Sequence, residues 1–86
     1  MRANHEAIAY WRRRRGELQQ LIEACEVDIA TAAAEGRAPT RQPLFTYAVS
    51  PLQMVTLEYI DMAALKARAE AQLHEAEQQL AYEEAA

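Results

Sequence analysis

Two stretches of this chain carry the same seven-residue apolar repeat, and one glycine and three prolines lie between them. In the first stretch Ile8, Ile22 and Ile29 take position a, and Trp11, Leu18, Cys25 and Ala32 take position d. In the second, Leu52, Tyr59, Leu73 and Leu80 take a, and Val55, Met62, Ala69 and Ala76 take d. Arg15 and Lys66 are the polar residues at a positions. A repeat of this period builds a continuous apolar seam only on a helix that packs against another helix. Gly36, Pro39 and Pro43 stop the first helix from running into the second. The expectation is an all-α, antiparallel two-helix hairpin of coiled-coil type, one domain over residues 1–86. It places helices at 4–35 and 50–83, joined by a loop at 36–49.

The ends of the helices have their own signals. Asn4 suits an N-cap, and Glu6 puts a carboxylate in the first turn, where the helix dipole favours it. Ser50 reads as the N-cap of the second helix, with Pro51 at the first helical position and Gln53 placed to close a capping box. Val49 and Met54 have the spacing of a hydrophobic staple. Folding at the loop sets Ile29 opposite Val55, Ile22 opposite Met62, Arg15 opposite Ala69 and Ile8 opposite Ala76. Arg12 then lies near Glu70 and Glu77. The connection, 13–15 residues, is longer than a minimal helix–helix turn. Within it Phe45, Tyr47 and Val49 alternate as in a short extended segment. That segment either folds its aromatics over the open end of the hairpin or offers a strand edge to a partner.

The seam is rich in alanine, which buries little area, so the core is thin. The chain is 51% hydrophobic, but it has one Trp and one Phe. Burying a large aliphatic side chain stabilises by roughly 1.5–3 kcal/mol. Small scaffolds of this kind lean on oligomerisation or a partner. Self-association is therefore expected. The net charge of −4 is uneven: residues 1–43 hold seven Arg against six acids, and 44–86 hold two basic residues against seven acids. This balance favours pairing between the halves over a dedicated nucleic-acid surface, which is basic overall. A single cysteine supplies neither an intramolecular disulfide nor a metal cluster. With no apolar run after Met1 and no stretch approaching 18 apolar residues, neither a secretory signal nor a membrane span is expected. The cytoplasm is the expected compartment. The Ala- and Arg-rich usage suggests a GC-rich bacterial or phage genome.

Two features compete as a functional surface. Arg12, Arg13, Arg14 and Arg15 are able to contact phosphate. On a helix, however, four consecutive residues point around more than one full turn and form no flat basic face. Their expected role is a solvated, salt-bridging face, with protein docking second and nucleic acid third. The second feature is a stripe of Met54, Leu57, Ile60 and Ala64 on a face away from the seam. A helix apolar on two faces buries two surfaces. Either Phe45 and Tyr47 cover this stripe within the monomer, or it is a dimer or partner interface, which is the favoured reading.

Catalysis has little material. No His-Glu-x-x-His pattern, phosphate-cradling glycine loop or activated nucleophile occurs. His5 and His74 fall near the free termini of the hairpin, and Glu70 with His74 reads as a solvated i,i+4 pair rather than a metal site. Cys25 reads as a small buried hydrophobe. The expectation is no enzyme, no cofactor and no metal.

In size, acidity and helix lengths the chain resembles small helical-hairpin chaperones of type III secretion systems. In its outline of helix, short extended segment and helix it resembles phage head–tail joining proteins. That likeness lies in Phe45-Thr46, Val49-Ser50, Leu52 and Tyr59-Ile60, under twenty residues. Its spacing departs by about one helical turn, and an obvious two-stranded hairpin is lacking. Size and acidic balance are also similar to those of small phage-encoded inhibitors of host proteins. No family is assigned. The expected function is a non-enzymatic adaptor, chaperone or inhibitor that docks a protein partner or itself. The alternative is a structural subunit of a phage particle or secretion apparatus. Nucleic-acid binding through the arginine run ranks last.

Overall fold

The computed structural model describes residues 4–51 and 53–85, without the side chains of 43–50 and 53–58. Helix α1 spans His5–Glu35, strand β1 Arg41–Ser50, strand β2 Gln53–Asp61 and helix α2 Met62–Ala85. The two helices pack along each other as the antiparallel hairpin the heptads predict. The strands pair antiparallel in a two-stranded sheet within the connection.

Helix α1 begins and ends where its local signals place it. Asn4 is extended (φ −86°, ψ 96°), and its Oδ1 accepts the amide N–H of Ala7 at 3.1 Å. This satisfies one of the four N–H groups a helix start leaves unpaired. At the other end Gly36 takes φ 69°, ψ 27°. The Arg37 N–H donates to Ala32 O (2.9 Å) and the Gly36 N–H to Ala33 O (3.3 Å). These two bonds form a Schellman cap, for which a left-handed residue is required.

The seam follows the heptads. Ile8, Leu18, Cys25 and Ala32 are buried on α1, and Met62, Ala69, Ala76 and Leu80 on α2. Leu18, Ala69 and Ala76 form its centre, flanked by half-buried Trp11, Leu21, Ile22 and Leu73. Three of the eight buried residues are alanines, so the helices approach closely but remove little apolar surface from water.

The register differs from expectation by about one heptad. Arg12 Nη2 lies 3.3 Å from Glu84 Oε1, rather than beside Glu77 or Glu70. Lys66 Nζ lies 3.6 Å from Glu26 Oε1. A heptad pattern is unchanged by a shift of seven residues, so from Met62 onward both registers bury the same positions of the second helix. The hairpin between the helices decides between them, because it consumes the turns that the expected register required.

The second helix expected at 50–83 is corrected accordingly: residues 53–61 form β2, and α2 starts at Met62. Ser50 and Gln53, expected as the two ends of a capping box, are instead paired across the end of the strand ladder, with Pro51 in the turn. Proline's fixed φ suits the first corner of a turn as well as the first turn of a helix. The cap of α2 is Asp61, whose Oδ1 accepts the Ala64 N–H at 2.8 Å. The extended segment expected at 45–49 is present, but as a strand of ten residues.

The Cα atoms span 51 × 40 × 14 Å with a radius of gyration of 17.1 Å. A compact domain of this length has a radius near ~12 Å. The molecule is elongated because α1 is long and the strand pair meets the helices mainly where β2 runs into α2.

Candidate protein-docking surface

The hairpin leaves the helices at a root built from ordinary polar chemistry. Asp28, on the last third of α1, accepts two bonds from Thr40: the backbone N–H to Oδ2 (2.9 Å) and the hydroxyl to Oδ1 (2.7 Å). These bonds, with Arg37 3.7 Å from Oδ1, hold the Asp28 carboxyl below its ordinary range. Arg37 also donates from Nε to Glu35 Oε2 at 2.8 Å, and that bond to a carboxylate raises its pKa. Thr40 O in turn accepts the N–H of Met62, the first residue of α2. Thr40 therefore ties together the end of α1, the start of β1 and the start of α2. Beyond the root, the Arg41 guanidinium lies 5.4 Å from the centre of the Tyr59 ring, and Arg41 pairs with Asp61 across the ladder.

The ladder runs from Arg41↔Asp61 to Ser50↔Gln53, with register shifts between Pro43 and Phe45, Phe45 and Thr46, and Ala48 and Ser50. The strands contact each other, and β2 contacts α2 where it runs into it. Among the described residues, neither helix packs along the sheet beyond that junction.

The residues singled out from the sequence separate into three groups. Phe45 and Tyr47 lie on β1, and Met54, Leu57 and Ile60 on β2. The i, i+3 spacing that grouped Met54, Leu57, Ile60 and Ala64 on one helical face does not apply to a strand, whose period is two. That stripe is therefore not a helix face. Ile60 is half-buried, Ala64 is exposed on α2, and the side chains of Phe45, Tyr47, Met54 and Leu57 lie outside the described residues. The hairpin, however, does gather Phe45, Tyr47, Met54, Leu57 and Ile60 into one element.

The arginines point in different directions, as consecutive helical residues must. Arg12 pairs with Glu84, while Arg14 lies 3.7 Å from Glu17 and donates to Gln72 Oε1 at 2.9 Å. Arg15 shares a shallow depression with Glu77 and Glu84, whereas Arg13 is exposed beside Tyr10. Two of the four are thus held on α2, and the run forms no single basic face.

Cys25 is fully buried, and burial pushes its thiol up, away from the reactive thiolate. His5 and His74 are both exposed. Among the described residues no group of three or more His, Cys, Asp or Glu is placed to hold a metal ion. No helix among them is long and apolar enough to cross a membrane. The root residues Asp28, Thr40 and Asp61 were missed in the sequence. Asp61 was findable, since an aspartate directly before the alanine-rich run from Met62 is an N-cap signal. The Asp28–Thr40 contact joins residues twelve apart and has no local signature. Comparison with protein-family models, curated proteins and solved structures finds no match.

Proposed function

We propose that the chain is a small non-enzymatic protein-binding or assembly protein that docks a partner, or a further copy of itself, through the β1–β2 hairpin. One observation carries this reading: among the described residues a long strand pair stands with neither helix packed along it. A two-stranded hairpin alone is marginal in water, and sheets gain stability from a third strand or a covering layer. The hairpin also concentrates the apolar residues Phe45, Tyr47, Met54, Val55, Leu57 and Ile60. Apolar and aromatic residues dominate the energetics of protein interfaces. The division of the arginines between helix ion pairs and solvent weighs against nucleic acid as the partner.

A structural role in a phage particle or secretion apparatus is the second reading. The order helix, paired strands, helix favours it, because the two-stranded hairpin removes one departure from the outline of phage head–tail joining proteins.

The test is Leu57→Asp combined with Ile60→Asp. The expected result is loss of the association seen with the unmodified chain, by light scattering and by co-purification from the cells that encode it, with helical circular dichroism retained. A variant that keeps its fold, its oligomeric state and its bound proteins would overturn the proposal.

A further inference from the structure

We infer that β2 pairs edge to edge, antiparallel, with β2 of a second copy of this chain, joining two hairpins into a four-stranded sheet. The inference rests on the reading of the hairpin as a docking element and names its occupant. In a two-stranded sheet each strand keeps one edge of unpaired N–H and C=O groups. The two edges here are not equivalent. β1 carries Pro43, which lacks an N–H, and two of the three register shifts fall where β1 has the additional residue, at Leu44 and Val49. Proline and bulges are the devices that blunt an edge. β2 has no proline, and its first half, Gln-Met-Val-Thr-Leu at 53–57, is uncharged and rich in strand-forming residues. Along Met54, Val55 and Thr56 the ladder is regular. That stretch is the unprotected edge.

The charge pattern admits a second copy in one direction only. The acids of β2, Glu58 and Asp61, both lie in its second half. Parallel pairing of two β2 strands would set each acid against its own copy, which is destabilising. Antiparallel pairing centred on Val55 and Thr56 sets Glu58 against the uncharged beginning of the other strand and carries Asp61 past its end. A second copy thus fits the edge in one orientation. The resulting interface is isologous and closed, so both copies gain the third strand that each lacks.

Light scattering on the intact chain should give a mass twice the 9.7 kDa of one chain. Val55→Lys with Thr56→Lys puts charge on both faces of the β2 edge and should weaken the dimer by at least about tenfold. Thr46→Lys with Ala48→Lys, opposite Thr56 and Met54 in the ladder, loads the same part of the hairpin from the β1 side. That pair should leave the dimer intact. In a Cys25→Ala background, at least one of Met54→Cys, Val55→Cys and Thr56→Cys should oxidise to a covalent dimer. Tyr82→Cys, at an α2 residue 72% exposed, should not. A chain that stays monomeric up to about 1 mM overturns the inference. So does dissociation by both lysine pairs alike, or cross-linking no better at β2 than at Tyr82. A monomeric chain that loses a bound protein on Leu57→Asp with Ile60→Asp would sink self-pairing while leaving the docking role standing.

Discussion

Replacing Leu18 by alanine is the sharpest test of where this protein's stability resides. Leu18 is 1% exposed and packs against Ala69 and Ala76, with Trp11, Leu21, Ile22 and Leu73 around them. Leu18→Ala removes three carbon groups from the centre of the seam, about 0.8 kcal/mol each in transfer free energy, or about 2.4 kcal/mol together. A cavity term adds to this, because the neighbouring alanines are too short to fill the gap. The expected loss is about 3 kcal/mol, on the order of a hundredfold in the folding equilibrium. A domain of this size is worth on the order of 4–13 kcal/mol in all, so the change removes a large share. Urea denaturation followed by circular dichroism should show a midpoint about 1–3 M lower with an unchanged slope. Val27→Ala, at a position 66% exposed on the same helix, should move stability by less than about 0.5 kcal/mol. If Leu18→Ala costs less than about 1 kcal/mol, the helix seam is not the core of this fold and its stability resides elsewhere.

Three further outcomes follow from the helix ends and the hairpin root. Gly36→Ala forces an L side chain to adopt φ 69°; since nothing lies within 4 Å of the added Cβ, the cost is backbone strain alone, about 1–2 kcal/mol in thermal or urea unfolding. Asp61→Ala removes the acceptor for the Ala64 N–H and should cost about 1 kcal/mol by the same assay, whereas Ser50→Ala should show no capping loss. The Asp28 carboxyl has a folded pKa below its ordinary 3.8 because of its bonds from Thr40. The stability it contributes is therefore present above about pH 4 and is lost as the pH falls through the lower folded value. Asp28→Asn should flatten that part of the stability–pH curve measured by thermal melts; a curve identical to that of the unmodified chain would refute the role of this carboxylate.

Local pattern alone determined most of the helical part. The seam positions Ile8, Leu18, Cys25, Ala32, Met62, Ala69, Ala76 and Leu80 follow from a seven-residue period. The Asn4 and Gly36 ends of α1 follow from cap chemistry that acts within four residues. What period and caps left open was decided between distant segments. Residues 53–61 carry an apolar run with both helical and strand content, and Ser50-Pro51 suits a helix start or a turn equally. The choice went to a strand that exists only by pairing with residues 41–50, a contact that spacing within one segment does not encode. The helix register was ambiguous for a related reason: a heptad seam is nearly degenerate to a slip of seven, and only the length taken up by the hairpin selected Glu84 over Glu77 as the partner of Arg12. The candidate site inherits both outcomes. Its apolar residues were visible in the sequence, but their assembly on a strand pair, rooted at Thr40 and Asp28, is a product of tertiary structure alone.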